Sequence, residues 1–307
     1  MGVDKLQEQR TWASLNRKVK GDVIETIENA AIYDREGRDV THLYDISVKT
    51  SGKKAESYRS ISAIQEHERE NGGFIFAFFT QARQIEDRFP QLNAQDAARV
   101  LFIGSYVAWE SNRLQYANGR IIRKAGLCEL VGMSAKRFSQ FFKKLISEEI
   151  LSESDKGELF MNPTLFFRGE IKSNGYDLSD LAHTRVFRKT IQDLYAMFKG
   201  RQLSKLGVIY KVLPFLNFET NIICFNPSES DEDLLEPMNL DNLSTLLDYG
   251  DPHKLRRALE AIKIEGKPVF LAVQNPNNRR QLRVIVNPRV VFGGSAESLK
   301  AIKVLFN

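Results

Sequence analysis

The stretch Asn162-Pro163-Thr164-Leu165-Phe166-Phe167-Arg168-Gly169 returns later in the chain as Asn287-Pro288-Arg289-Val290-Val291-Phe292-Gly293-Gly294. Both follow the pattern Asn-Pro-x-apolar-apolar-Phe-x-Gly. One Asn-Pro is an ordinary turn; the neighbourhoods make these two a repeat. Upstream of the first, Leu127, Leu130 and Val131 have helical spacing, Gly132 ends that helix, and Ser134 can cap a second one carrying Phe138, Phe141, Phe142, Leu145 and Ile146. Upstream of the second, Leu243, Leu246 and Leu247 repeat the stripe. Gly250, the cap Asp251, the first-turn Pro252 and then Leu255, Ala258, Leu259 and Ile262 follow.

Each unit then offers two extended runs. They are Ile150-Leu151 with Glu158–Met161, and Val269–Val273 with Leu282–Val286, the latter pair with Asn275-Pro276-Asn277-Asn278 at its tip. Helix, tight turn, helix, hairpin is the order of a winged helix-turn-helix, and it occurs twice. Further helices are expected before each unit: one stripe through Phe74, Phe78, Ala82, Ile85 and Phe89, another through Phe187, Ile191, Leu194, Tyr195 and Phe198, then Ala98–Trp109 and Leu206–Leu216. The second unit carries an insertion from Asn217 to Pro237, with a solvated acidic stretch at Glu229–Glu236. A basic arm with Arg10, Arg17, Lys18 and Lys20 precedes strands expected at Val23–Ile32 and Val40–Lys49, turned by Asp34-Arg35-Glu36-Gly37. The expected fold is α+β, mainly α with small β-hairpins: tandem winged helix-turn-helix domains at 71–172 and 186–307, a linker at 173–185, and an N-terminal arm and β-hairpin at 1–70.

The basic residues are placed unevenly. On the first unit's second helix, Lys136, Arg137, Gln140, Lys143 and Lys144 oppose the apolar stripe behind the cap Ser134, and Arg120, Arg123 and Lys124 enter the preceding helix. Between Arg120 and Lys144 the only acid is Glu129, whereas a merely solvated face usually mixes both signs. The second unit repeats the bias with His253, Lys254, Arg256 and Arg257 on its helix and Arg279, Arg280 and Arg283 on its hairpin. Lys and Arg release counterions from phosphates, and Arg or Gln on a helix can bond base edges in a major groove. An Arg-bearing hairpin tip suits a minor groove. The period of Phe138, Phe141 and Phe142 marks them as core rather than as stacking platforms for single strands.

With 307 residues and a formal net charge of +5, the chain is long enough for two cores, and its sum of charge matters less than its pattern. No apolar run reaches the ~18–20 residues of a membrane span, and Met1-Gly2-Val3-Asp4-Lys5 is charged where a signal peptide would be apolar. A cytoplasmic location is the expectation. Cys128 and Cys224 lack CxxC spacing and read as reduced, packed thiols. His42, His67, His183 and His253 are scattered, no phosphate-binding GxxxxGK[ST] occurs, and His253-Lys254-Leu255-Arg256 is followed by no tyrosine nucleophile. No catalytic activity, cofactor or metal is expected.

The stretch from Leu127 to Gly169 resembles the winged-helix replication-initiator family of small Gram-positive plasmids, whose members close the wing with a similar Asn-Pro and Arg-Gly. Less specifically it is similar to regulators of the multiple-antibiotic-resistance repressor type. Gly293 stands where the first copy has Arg168, so that side chain has no counterpart. The resemblance implies double-stranded DNA as partner and either of two roles, replication initiation for a plasmid or phage or transcriptional regulation. Replication or transcription machinery would be further partners, with a homodimer left open.

Overall fold

The computed structural model describes residues 15–41, 63–79, 88–173, 176–198, 200–275 and 278–306. The chain divides into two compact units, Met1–Arg69 with Ser295–Glu297, and Glu70–Gly294 with Ser298–Asn307. Both copies of the repeat fall in the second unit.

In the first unit α1 spans Arg17–Glu28. This overturns the strand expected from Val23: Val19, Val23 and Ile27 recur at i, i+4 and i+8, and the Asn16 side chain accepts the Val19 N–H at 2.9 Å as an N-cap. The expected turn is present. Tyr33 bridges Asp39, Gly37 sits at φ 79°, and the Asp34 carboxylate accepts the N–H groups of Glu36 (2.8 Å) and Arg38 (2.9 Å). Arg10 and the rest of the second expected strand, from residue 42 on, lie outside the described residues.

The second unit opens with β1 (Phe74–Phe79), followed by α2 (Ala94–Gly104), α3 (Lys124–Val131) and α4 (Ala135–Ser147). Then come β2 (Leu151–Glu153), β3 (Leu159–Met161), β4 (Phe166–Phe167), a small hairpin of β5 (Lys172–Ser173) and β6 (Tyr176–Asp177), and β7 (Ala182–Phe187). The second half has α5 (Arg188–Met197), α6 (Ser204–Val212), α7 (Leu240–Leu246), α8 (Pro252–Glu260), β8 (Lys263–Ile264), β9 (Lys267–Pro268), β10 (Phe270–Asn275), β11 (Asn278–Val286) and α9 (Ala296–Leu305). The fold is mixed helix and strand with small antiparallel sheets.

Two expectations fail together. The stripe from Phe74 is a strand, not a helix, over Phe74–Phe79, and Ala82 and Ile85 lie outside the described residues. The stretch expected to link the copies contains β7, the partner of that strand in full antiparallel register from Phe74↔Phe187 to Phe79↔Ala182. Phe-Ile-Phe-Ala-Phe-Phe is apolar on both faces because β1 is central, flanked by β4 and β7, so its periodicity cannot tell strand from helix.

The repeat holds to the level of single hydrogen bonds. In the first copy residues 112–114 join the β2–β3 hairpin through Leu114 N–H to Leu159 O (2.8 Å) and Met161 N–H to Asn112 O (2.8 Å). In the second, residues 221–223 join β10–β11 through Ile223 N–H to Val284 O (2.9 Å) and Val286 N–H to Asn221 O (3.0 Å). Asn112 and Asn221, at φ 53° and 54°, each donate from Nδ2 to two buried carbonyls: Met161 and Phe166 in one copy, Val286 and Val291 in the other. The Asn of each Asn-Pro does a second job. Asn162 Nδ2 donates to Glu149 O and Asn287 Nδ2 to Pro268 O (3.0 Å each), while their Oδ1 atoms accept the N–H of Thr164 and of Arg289. Buried backbone carbonyls must be paired, and Asn112 and Asn221 supply the donors, while Asn162 and Asn287 tie their turns to more exposed carbonyls.

Each copy also returns to the shared sheet in the same way. Ala77 pairs Phe166 and Val186 pairs Val291, with Phe78 N–H to Leu165 O (3.0 Å) matched by Phe187 N–H to Val290 O (2.9 Å). Ala77 therefore corresponds to Val186, and Phe76 to Arg185. Phe76 and Arg185 are themselves directly paired. Equivalent positions facing each other in an antiparallel pair define a local two-fold axis, so the copies are joined as in a two-fold dimer, within one chain. The matching helices α2 and α6 pack together so closely that a Cβ on Gly207 would lie 2.2 Å from Ala94 O. One continuous apolar core runs through both copies.

Candidate nucleic-acid interface

Gly132 ends α3 in the left-handed conformation (φ 64°), and Ser134 begins α4 without a side-chain capping bond. Phe138, Phe141, Phe142 and Leu145 of α4 are buried, each worth about 1.5–3 kcal/mol against exposure. That anchoring leaves the opposite face free to carry charge. Lys136, Arg137, Gln140 and Lys143 are exposed there, and α4 contains no acid. None of Lys136, Arg137 and Lys143 forms an ion pair with a described residue.

The second copy builds the same step with different chemistry. Gly250 turns at φ 61°, Asp251 accepts the His253 N–H (2.8 Å), and Pro252 opens α8. Leu255, Ala258 and Leu259 are buried while His253, Lys254, Arg256 and Arg257 are exposed. Arg256 is tied to Glu260 at 2.9 Å, a pair more than half exposed on both sides; such pairs are worth about 0.3–0.5 kcal/mol and exchange readily with other partners.

Around these helices the expected residues divide. Arg120 is exposed with its guanidinium 4.6 Å from the Tyr116 ring, Arg123 is the N-cap of α3, and Lys124 lies with Nζ 4.6 Å from the Phe142 ring. Lys144 turns away from its neighbours on α4: its Nζ sits 2.9 Å from the buried carboxylate of Asp96, which also holds Arg99 at 3.2 Å. Arg283 is engaged as well, 14% exposed and 2.7 Å from Glu232 in the acidic insertion. The backbone of Arg279 and Arg280 belongs to β11, but their side chains lie outside the described residues.

The insertion is ordered by Asn217, which donates to Pro227 O and Glu229 O, and by Asn226, which donates to Leu234 O and accepts from Glu236 N–H. Sequence reasoning missed Lys156, exposed at the tip of the β2–β3 hairpin beside Gly157 (φ 69°). The Ser-Asp-Lys-Gly turn was its available signal. Arg168, the side chain without a counterpart, packs beside Trp109. It is half-buried with its guanidinium 5.8 Å from the exposed Trp109 ring, and burial lowers its pKa. Next to it, burial and then the Arg168 charge push Arg188 down to about 10, and Arg188 Nε donates to Ser105 O at 2.7 Å. Gly293, its counterpart, faces Phe218 instead.

Among the described residues no group of three or more His, Cys, Asp or Glu could hold a metal ion, and no helix is long and apolar enough to cross a membrane. Comparison with protein-family models, with curated proteins and with solved structures finds no match to this chain.

Proposed function

We propose that this chain is a non-catalytic, sequence-specific binder of double-stranded DNA, built from two winged-helix units in tandem and acting in the cytoplasm as the replication initiator of a plasmid or phage. One observation carries the reading: an exposed face rich in Lys and Arg recurs on α4 and on α8, each the second helix of the same helix-turn-helix step. In such a step the second helix enters the major groove. Lys136, Arg137, Gln140 and Lys143 would act from the first copy and His253, Lys254, Arg256 and Arg257 from the second, with Arg120, Arg123, Lys124 and Lys156 on flanking phosphates. Arg279, Arg280 and Arg283 would act from the second hairpin, Arg283 on release from Glu232. Lys144, held by Asp96, is left out. The initiator assignment rests on the resemblance of Leu127–Gly169 to plasmid initiators. A transcription regulator would use the same surface and differ in what the rest of the molecule touches.

The local two-fold axis at Phe76 and Arg185 gives the proposal its geometry. Two helices related by a two-fold read half-sites in inverted orientation, about 34–36 Å apart when one helical turn separates them. Selection of bound duplexes from a random pool, with single-stranded DNA and RNA as competitors, tests this. The expected product is an inverted pair of short half-sites resistant to both competitors. No enrichment, or equal competition by single strands or RNA, overturns it.

A further inference from the structure

A cleft of about 610 Å³ separates the first copy from the first helix of the second. Small-molecule sites commonly measure about 300–1,000 Å³. One wall is a pair of stacked rings, Phe102 of α2 and Tyr195 of α5, with centroids 3.7 Å apart and planes within 4°. Tyr195 Oη donates to Val131 O at 2.9 Å, which fixes that wall against the end of α3. The rest of the lining is mixed: apolar Leu130, Met133 and Leu203, polar Gln192 and Ser134.

Its charge has one sign. Arg99 and Arg137 line the cleft and no lining residue is acidic. The nearby Asp96 brings one negative charge against three cations: it pairs with Arg99 and Lys144, and Arg137 forms no ion pair with a described residue. Arg99 Nε is buried and has no hydrogen-bond partner among the described residues. Ser134 adds the uncapped first turn of α4, where backbone N–H groups and the helix dipole favour an anion.

We propose that this cleft binds a small amphipathic anion, a planar aromatic body against the Phe102–Tyr195 wall with its negative group directed to Arg99, Arg137 and the start of α4. Such an occupant would touch α4 of one copy and α5 of the other at once. The site does not depend on the DNA-binding reading.

Titration with 1-anilinonaphthalene-8-sulfonate, an aromatic anion whose fluorescence rises on leaving water, tests the site in the absence of DNA. Ala196 lines the cleft and is exposed on α5, so either charge is tolerated there by the fold. The expected result is one saturable site. Ala196→Glu weakens it about tenfold or more, Ala196→Lys holds or tightens it, Arg137→Gln weakens it several-fold, and the uncharged N-phenyl-1-naphthylamine binds at least about tenfold more weakly. Circular dichroism and Tm identify any variant that fails to fold, and Arg137→Gln then carries the test. Equal binding by the folded variants, equal binding of the neutral amine, or many equivalent sites overturns the proposal. A failed duplex selection with an intact dye site would remove the DNA reading alone.

Discussion

Asn112 and Asn221 show how one side chain holds a repeat together. Each sits at a positive φ that asparagine tolerates and each satisfies two buried carbonyls. Alanine would leave both acceptors unpaired and strain the backbone, so Asn112→Ala and Asn221→Ala should each cost about 2–4 kcal/mol in chemical denaturation. Losses under 1 kcal/mol would show the carbonyls find other donors. The Asn-Pro asparagines were legible because a proline follows each. Asn112 and Asn221 were not, because nothing local in the sequence marks an asparagine whose partners lie far along the chain.

The cysteines differ in the same local way. Cys224 is buried and its thiol is pushed up to about 11 by burial, whereas Cys128 is half-buried with Sγ 3.5 Å from Met133 O. Native protein should therefore take up one equivalent of iodoacetamide at pH 8, at Cys128, and a second only on unfolding. Because the folded pKa of Cys224 lies above its unfolded value of 9.0, its contribution to stability is complete below pH 9 and is lost as pH rises through about 11. Equal labelling of both thiols in the native state would contradict this.

Among the elements, those with a cap, a stop and a 3.6-residue stripe were readable: α3, α4, α7 and α8 lie where Gly132, Ser134, Gly250 and Asp251 put them. β1 was misread because it is buried on both faces, and β7 was hidden with it, since a strand is recognised through its partner. The acidic insertion was visible as charge, but its contact with the second hairpin was not. Glu232 bonds Arg283 across a long stretch of chain, a carboxylate on a guanidinium that would otherwise be open to a phosphate. Glu232→Gln should free that guanidinium and raise duplex affinity several-fold at low salt, with the gain shrinking as salt rises. Glu232 is 61% exposed, so Tm should move little. Unchanged affinity at every salt concentration would place Arg283 outside the DNA contact.

At the scale of the whole molecule, the shared sheet and the α2–α6 contact make the two copies one body, not beads on a linker. The repeat revealed two similar modules in sequence. Their two-fold relation was not legible, because it depends on which strand pairs with which. At Gly207 the joint leaves no room for a side chain, and Gly207→Ala drives a Cβ into the Ala94 carbonyl. A loss of about 3 kcal/mol is expected by denaturation, together with a larger loss of affinity for paired half-sites than for one half-site alone. A neutral substitution would mean the helices can separate without cost.

Hydroxyl-radical footprinting of the chain on a duplex selected for tight binding reaches the central claim most directly. One chain should protect two segments in inverted orientation, centred about one helical turn apart, and Arg137→Ala and Lys254→Ala should each erase protection at a different one. Protection confined to a single half-site, or two segments lost together with either substitution, would contradict the account.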